Sequence, residues 1–290
     1  MKSTAATIVV ALVVGCLFAF SCAAAAEAAN SDEDVTTVTP NDDEESSIGS
    51  NKTVPSVDRI IGGTQTTIDK YPYQVSLRRS GDHYCGGAII SPWHILTAAH
   101  CIVKIAHPPY RDITVVTGSS VSYGNWGERH RVRRIVVHPN YAADEKTSFA
   151  NDLAVITIAD TIRYNQYQQK IELPSRDVTI GDVATITGWG VRKYPSYDAS
   201  PHLEFALQRL IPLETCAKMV KPYVINNQQI CALNRKGIGA CSGDSGGPLV
   251  AHNRLIGVIS WIIPCAEGYP DIYSNLIYHV DWIRSQMSRF

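Results

Sequence analysis

Long apolar stretches are scarce in this 290-residue chain. The longest of note covers residues 8–20, only 13 residues, whereas a helix needs roughly 20 to cross a bilayer. Lys2 precedes this run and small residues follow it as far as Ala26, a pattern typical of a secretory signal peptide. We therefore predict a signal peptide over residues 1–26, a secreted, extracellular protein, and no association with a membrane.

Excess charge of either sign is also lacking, since 26 Lys and Arg oppose 27 Asp and Glu. The one basic cluster, four arginines within residues 129–134, has little aromatic pattern interleaved with it, which argues against a nucleic-acid partner. Alternation over residues 131–137 instead predicts the solvated face of a β-strand. No group of cysteines and histidines has the spacing of a zinc site, so no metal is predicted.

Large apolar residues are almost absent from residues 31–50, which carry seven acidic residues. Such a segment cannot bury enough surface to offset its ordering entropy, so we predict a flexible acidic pro-segment over residues 27–59. The chain's one glycosylation sequon begins at Asn51, within it. Without residues 1–59 the chain has 23 basic and 18 acidic residues. The segment ends at Arg59, before Ile-Ile-Gly-Gly at residues 60–63.

The rest of the chain has the pattern of an all-β protein. Residues 73–78 and 182–187 alternate between apolar and polar residues, and turn signals at residues 81–82, 139–140 and 181–182 separate the runs. Only the end has a helical pattern, with Val280, Ile283 and Met287 three and four residues apart. Cys16 and Cys22 leave with the signal peptide, and the six remaining cysteines predict three disulfides with 15 possible pairings.

Three short motifs carry the chemistry. Residues 243–248 have the sequence Gly-Asp-Ser-Gly-Gly-Pro, residues 97–101 Thr-Ala-Ala-His-Cys, and residues 151–155 Asn-Asp-Leu-Ala-Val. A serine hydroxyl becomes a nucleophile only when a positioned base removes its proton; imidazole suits that task, and a carboxylate fixes its tautomer. The order of His100, Asp152 and Ser245, each in its local context, resembles the trypsin/chymotrypsin family of serine proteases, closest to insect chymotrypsin-like enzymes.

The resemblance implies a fold and a set of roles. It implies two packed six-stranded antiparallel β-barrels with a C-terminal helix over residues 60–290, and an active site in the cleft between the barrels. Ser245 would attack the scissile carbonyl, His100 would accept and return its proton, and Asp152 would orient His100. The backbone N–H groups of Gly243 and Ser245 would form the oxyanion hole.

The resemblance also implies how the protein is activated and cross-linked. Cleavage after Arg59 would free the Ile60 amine, which would turn inward and pair with Asp244. The implied disulfides are Cys85–Cys101, Cys216–Cys231 and Cys241–Cys265.

The primary specificity pocket departs from the trypsin pattern. Trypsins carry an aspartate six residues before the nucleophile, whereas this chain has Gly239 there, followed by Ala240. Asp271 falls at another position of the pocket base, where it would either attract a basic side chain or lie hydrated beneath an apolar one. In the pocket wall, Ser-Trp-Gly is replaced by Ser-Trp-Ile, and the branched side chain should narrow the pocket; the three wall residues are Ser260, Trp261 and Ile262.

We therefore expect a secreted serine endopeptidase, made as a zymogen, that prefers apolar residues before the scissile bond. Its expected partners are protein or peptide substrates, an activating trypsin-like protease and protein protease inhibitors, and it is expected to be a monomer without cofactors. The loop after Gly118 lacks the paired acidic ligands of trypsin calcium loops. A digestive role is the first hypothesis. The alternatives are a broad or elastase-like specificity, a regulatory or venom protease, and a non-catalytic homologue, which the intact triad opposes.

Overall fold

A computed structural model describes residues 60–288, apart from 145–147, 176, 194, 196, 197 and 264. All of these residues belong to the larger of two compact units of the chain, Val54–Phe290. The predicted signal peptide and acidic pro-segment, including Arg59, lie outside the described residues. Among the helices that the structure describes, none is long and apolar enough to span a membrane.

A two-residue strand, β1 (Thr64–Gln65), comes first in the described chain. The next six strands are β2 (Gln74–Arg79), β3 (Asp82–Ile89), β4 (His94–Thr97), β5 (Ile113–Thr117), β6 (Glu128–Val137) and β7 (Ala154–Ile158). These six antiparallel strands form a first closed barrel, in the order β2-β3-β4-β7-β6-β5.

Six further strands are β8 (Val183–Gly188), β9 (Glu204–Ile211), β10 (Gln229–Leu233), β11 (Pro248–Ala251), β12 (Arg254–Trp261) and β13 (Asp271–Asn275). They form a second antiparallel ring in the order β8-β9-β10-β13-β12-β11, in which β11 pairs back to β8, and β1 pairs with β9 at its side. The predicted fold of two six-stranded barrels is confirmed.

The burial of each strand explains its sequence. Side chains along β6 and β9 alternate between exposed and buried, and the arginines of β6 lie on its solvated face. In contrast, β4 and β7 are buried along their whole length and lack alternation. The first-barrel core continues into Val250, Val258 and Ile283, residues of β11, β12 and the C-terminal helix. The two barrels are therefore joined through shared apolar packing.

The C-terminal helix is confirmed as α2 (Leu276–Met287), which begins where the Asn275 side chain accepts a hydrogen bond of 3.1 Å from the Ile277 N–H. The expectation that only the end is helical is wrong. A second helix, α1 (Leu213–Met219), and a 3-10 turn (Ile68–Lys70) are present. Both are too short to show a repeating apolar face, and Cys216 fixes α1 to β10 through a disulfide.

Three disulfides cross-link the described chain, each closing a loop of 15 to 24 residues in sequence separation. The pairs are those that the resemblance implies: Cys85–Cys101, Cys216–Cys231 and Cys241–Cys265. The first joins β3 to the segment after β4, and the third joins the segment before β11 to the segment before β13. Such bonds mainly restrict the unfolded chain, each by roughly 3 kcal/mol in the chain-entropy model.

Gly246, in the loop before β11, lies directly against the first barrel, and it tests this contact. Its φ is +79°, and an added Cβ would overlap the Thr97 hydroxyl and lie 2.7 Å from the Gly86 carbonyl oxygen. We expect Gly246→Ala to lower the free energy of unfolding by about 2 to 4 kcal/mol, because backbone strain and overpacking add. Thermal unfolding in a Ser245→Ala background, which avoids self-digestion, measures the loss.

Gly81→Ala is the matched control for that experiment. Gly81 also has a positive φ, +100°, but no described heavy atom lies within 4 Å of its added Cβ. Its loss should be limited to the strain, about 1 kcal/mol. Equal losses for the two variants would show that the close approach at Gly246 adds nothing.

Candidate active site

The pairing of β4 with β7 brings the predicted base and its carboxylate together. Thr97, the last residue of β4, lies opposite Ala154, the first residue of β7. The chain leaving β4 therefore passes the chain entering β7. His100 lies three residues beyond Thr97 and Asp152 two residues before Ala154, so the register of one strand pair determines their meeting.

Asp152 holds His100 by two hydrogen bonds. Asp152 Oδ2 lies 2.7 Å from His100 Nδ1, and Asp152 Oδ1 accepts a hydrogen bond of 2.9 Å from the His100 backbone N–H. Burial lowers the pKa of His100, but the charge and hydrogen bond of Asp152 outweigh this effect and hold the pKa above its ordinary value of 6.5. The contact places the ring proton on Nδ1 and leaves Nε2 free to accept a proton.

The second barrel anchors the same carboxylate. Asp152 is 1% exposed, and the Ser260 hydroxyl of β12 donates a hydrogen bond of 2.6 Å to its Oδ2. The Ser274 hydroxyl of β13 donates a hydrogen bond of 2.9 Å to its backbone carbonyl. Ser260 was predicted as a residue of the pocket wall, and its hydroxyl is here a partner of Asp152. Ser274 was not predicted, because no local motif marks it.

The predicted nucleophile lies in the loop just before β11. The Ser245 carbonyl oxygen accepts a hydrogen bond of 2.8 Å from Gly86 N in the first barrel. The Cys101 sulfur lies 3.6 Å from that oxygen and 3.7 Å from His100 Nε2. No direct hydrogen bond joins the side chains of Ser245 and His100, two described residues. Such contacts are often long in enzymes without substrate and shorten when substrate binds.

Two backbone donors in the Ser245 loop have no acceptor within the described part of the chain. Among the described residues, neither the Gly243 N–H nor the Ser245 N–H makes a hydrogen bond. Gly243 has a φ of +97°, a conformation that glycine adopts without strain. These are the two N–H groups predicted to form the oxyanion hole, and they are available to a substrate oxygen.

His83, which the sequence analysis did not single out, supports this loop. Its Nε2 lies 3.0 Å from the Gly243 carbonyl oxygen and its Nδ1 lies 2.8 Å from the Ser76 hydroxyl. Burial lowers the pKa of His83 to about 4, so the ring is neutral at physiological pH. Because a carbonyl oxygen only accepts, Nε2 carries the proton and Nδ1 accepts from Ser76. The contact spans 160 residues and has no sequence signature.

Asp244 is a second buried carboxylate. Its two oxygens accept hydrogen bonds from Gly190 N, at 2.8 Å, and Cys241 N, at 3.0 Å. Burial raises the pKa of Asp244 to about 6, and these two donors oppose the rise. Ile60 is fully buried in the core of the second barrel, and the Ile61 carbonyl oxygen accepts from Gly239 N. The predicted new N-terminus therefore already packs inside the second barrel.

Asp271 lies at the predicted base of the primary pocket and is only 3% exposed. Its Oδ2 accepts a hydrogen bond of 2.8 Å from Ala240 N and a short one from the Gln208 side-chain amide. A Cβ added at Gly239 would lie 3.1 Å from that oxygen. Burial raises the pKa of Asp271 to about 7. The carboxyl is thus fixed by protein donors, and Gln208 is a neighbour that no sequence motif indicated.

The predicted pocket wall comprises the end of β12 and the residue that follows it, and it packs against the third disulfide. Ile262 is half-buried and packs with Ile61 against a cluster that contains Cys241 and Cys265. The neighbouring Trp261 is also half-buried, and its indole N–H donates to the Ser148 carbonyl oxygen at 3.1 Å. The side chain at 262 is therefore supported from behind by a cross-linked wall.

Comparison with known proteins adds a family. A sequence model of the family described as Trypsin matches residues 60–283. Chymotrypsin-2 of Vespa crabro is 37% identical over 227 residues, covering 78% of this chain and 98% of that protein. Trypsin alpha of Drosophila erecta is 33% identical over 236 residues, covering 80% and 89%, and that of Drosophila melanogaster is 34% identical with the same coverage. Because both chymotrypsin and trypsin names occur, the primary specificity has to be argued from the pocket.

The two serines beside Asp152 allow a matched test of the electrostatics. If His100 must be neutral to act, kcat/KM falls as the pH drops through its raised pKa, above 6.5. Ser260→Ala removes a donor from the Asp152 carboxylate, so this acid limb should move to higher pH, and kcat/KM at the optimum should fall about tenfold. Ser274→Ala, which touches only the backbone carbonyl, should leave the limb in place. Equal shifts in both variants would refute the role of the Ser260 hydroxyl.

Proposed function

The chain belongs to the trypsin family of serine proteases. From this premise we propose that it is a secreted serine endopeptidase that is made as a zymogen. We further propose a chymotrypsin-like preference for apolar residues before the scissile bond. The observation that carries the proposal is the constellation around Asp152. Asp152 holds His100 by two hydrogen bonds, and the N–H groups of Gly243 and Ser245 have no acceptor among the described residues.

The proposed chemistry follows from these contacts. His100 Nε2 accepts the proton of the Ser245 hydroxyl as the oxygen attacks the substrate carbonyl, and then gives it to the leaving amine. Asp152 stabilises the imidazolium formed between these steps. The N–H groups of Gly243 and Ser245 stabilise the oxyanion, a contribution of roughly 3 to 4 kcal/mol for each donor in related chemistry. The carbon–nitrogen bond breaks and leaves the acyl group as an ester on Ser245. Water then attacks this ester, His100 takes a proton from the water and returns it to the Ser245 oxygen, and the ester bond breaks.

Activation by cleavage after Arg59 is supported by two burials. The Ile60 side chain lies in the second-barrel core, and Asp244 lies among backbone donors with a raised pKa. A free amine at Ile60 would supply Asp244 with a cation, which stabilises a buried carboxylate and orders the Gly243 loop beside it. The activating partner would be a protease that cuts after arginine. Secretion is supported by the three disulfides, which persist in oxidising compartments.

The apolar preference is supported by the pocket base. Gly239 supplies no charge, and the Asp271 carboxyl is turned toward Ala240 N and Gln208. An elastase-like preference for smaller side chains is the second candidate, and the half-buried Ile262 on its cross-linked wall favours it.

The proposed function predicts activity that depends on both Arg59 and Ser245. Treatment of the purified full-length protein with trypsin should expose an N-terminus at Ile60, seen by mass spectrometry, and switch on peptide hydrolysis. A serine-directed phosphonate should then label Ser245. Ser245→Ala should be cleaved at the same bond and fold normally, yet lose activity by at least about a thousandfold.

Arg59→Gln is the control, since it should remain uncleaved at this bond and inactive while keeping an intact Ser245. Full activity of that uncleaved variant would overturn the zymogen mechanism. Activity of Ser245→Ala within tenfold of the wild type would overturn the assignment of the nucleophile.

The pocket wall predicts a graded change in specificity. Ile262→Gly should raise kcat/KM for Phe and Tyr substrates, relative to a Leu substrate, by about tenfold or more, because the wall no longer excludes a ring. Ile262→Val, which removes one methylene group, should give a much smaller change in the same ratio. If both variants keep the wild-type ratio of kcat/KM for Phe or Tyr substrates to that for the Leu substrate, Ile262 does not limit the size of the pocket.

A further inference from the structure

Behind the primary pocket, the interior of the second barrel contains a row of buried polar side chains. Gln208 of β9 faces inward between the apolar residues Ala206 and Leu210. Asp271 and Tyr273 face inward from β13. Ala232 of β10 pairs with both Leu210 and Asp271, so the closure of the ring brings Gln208 and Asp271 within reach of each other.

The hydrogen bonds of this row fix the direction of the Gln208 amide. The Tyr273 hydroxyl donates a hydrogen bond of 2.8 Å to Gln208 Oε1. Burial raises the pKa of Tyr273 far above its ordinary value, so the phenol keeps this proton. With its oxygen engaged, the amide presents its nitrogen to Asp271 Oδ2 and donates to it. Ala240 N donates to the same carboxyl oxygen at 2.8 Å.

The carboxyl of Asp271 lies against Gly239, a residue of the predicted substrate pocket. A Cβ built on Gly239 would lie 3.1 Å from Oδ2 and 3.5 Å from Oδ1, so a side chain there would crowd the carboxyl. Glycine leaves these oxygens room and places no side chain between them and the predicted pocket. The carboxyl thus has protein donors at Ala240 and Gln208 and borders the predicted pocket at Gly239.

The charge of this carboxyl is finely balanced. Burial raises the pKa of Asp271 to about 7; the donors at Ala240 N and Gln208 oppose the rise, the charge of Asp244 adds to it, and Tyr273 opposes it. Near neutral pH, the loss of one donor therefore changes the fraction of Asp271 that is ionised. A basic substrate side chain gains from an ionised carboxyl, whereas an apolar one gains from a neutral carboxyl.

We propose that Gln208 is a specificity-determining positioning residue, whose amide holds Asp271 as a carboxylate at the base of the primary pocket and so governs how well Lys and Arg compete with apolar residues before the scissile bond. This inference rests on the proposed function. It assigns to Gln208 no contact with substrate, because Gln208 acts through Asp271.

The test measures a ratio in the activated protein: kcat/KM for a Lys peptide divided by kcat/KM for the matching Leu peptide, from pH 5.5 to 8.5. Effects of His100 and of the Ile60–Asp244 pair on the chemical step are common to both peptides and cancel, whereas the charge of Asp244 also acts on Asp271 and is shared by the wild type and the variants at position 208. In the wild type the ratio should rise with pH with a midpoint near 7, because kcat/KM reports the free enzyme. In Asp271→Asn the ratio should be low and independent of pH.

Gln208→Leu removes the donor and puts an apolar side chain of similar volume in its place. Its midpoint should move to higher pH, and its ratio at pH 7 should fall several-fold, about fivefold for a shift of one pKa unit, because the ionised fraction then falls from about one half to about one eleventh. Cleavage of the Leu peptide should stay within a few-fold of the wild type. Tyr273→Phe, which removes the donor that orients the amide, should shift the midpoint in the same direction and serves if Gln208→Leu does not fold.

A Gln208→Leu or Tyr273→Phe protein with the wild-type ratio and midpoint would overturn the inference, leaving Gln208 a packing residue. A wild-type ratio that is flat with pH and equal to that of Asp271→Asn would also overturn it, because Asp271 would then not reach the substrate. Both results leave Leu cleavage and phosphonate labelling of Ser245 intact. If the activated wild type cleaves neither peptide and Ser245 is not labelled, the proposed function itself fails, and this inference with it.

Discussion

The hydrogen bonds of the Asp152 carboxylate to His100 and Ser260 are the interaction on which the rest of the site depends. The carboxylate comes from the first barrel, at the start of β7, and receives Ser260 from the second barrel while holding His100. A buried charge is stable only when its oxygens are hydrogen-bonded, and a displacement of the barrels would remove the Ser260 donor and leave only the two bonds from His100. The geometry of the cleft and the direction of His100 therefore depend on one another. The same contact that fixes the proposed base also fixes the packing of the two barrels.

Three buried aspartates share this principle with different outcomes. Asp152 faces a histidine, and its charge holds the pKa of His100 up. Asp244 and Asp271 have no histidine partner; they accept from backbone N–H groups, and Asp271 accepts also from an amide. Burial raises the pKa values of both, to about 6 and about 7. The donors thus distinguish the three carboxyls. Asp152, which faces a histidine, orients a base, whereas the charge of Asp244 and of Asp271 depends on a further partner.

Local patterns in the sequence predicted an all-β domain and marked the residues on short motifs, whereas the two six-stranded barrels were implied by the family resemblance. Residues 73–78 and 182–187 alternate, and they correspond to β2 and β8 within a residue at each end. His100, Asp152 and Ser245 lie in loops next to strand ends, where the motif itself records the geometry. The short helix α1 was missed because two turns cannot show a period, although a disulfide and a small apolar cluster that includes Leu213 and Met219 hold it in place.

Ser274, His83 and Gln208 escaped prediction for a different reason. Each acts on a group that is distant in sequence: Ser274 on Asp152, 122 residues away; His83 on Gly243, 160 away; and Gln208 on Asp271, 63 away. A serine or glutamine in a strand has no local feature that distinguishes a solvated side chain from one facing a barrel interior. Only the closed order of the strands decides which residues meet, and closure is a property of the whole ring.

Gln208 also shows how a departure from the expected pattern locates chemistry. An amide inside a barrel loses its hydration, and a leucine at that position would avoid this cost, so the amide is tolerated only because Tyr273 and Asp271 satisfy both of its ends. The residues that flank it on the inner face of β9, Ala206 and Leu210, are apolar. A polar group with complete partners between apolar neighbours adds little stability that packing would not supply. What it does add is a fixed direction and charge for Asp271 at the pocket base, a place where stability and specificity make opposite demands on the sequence.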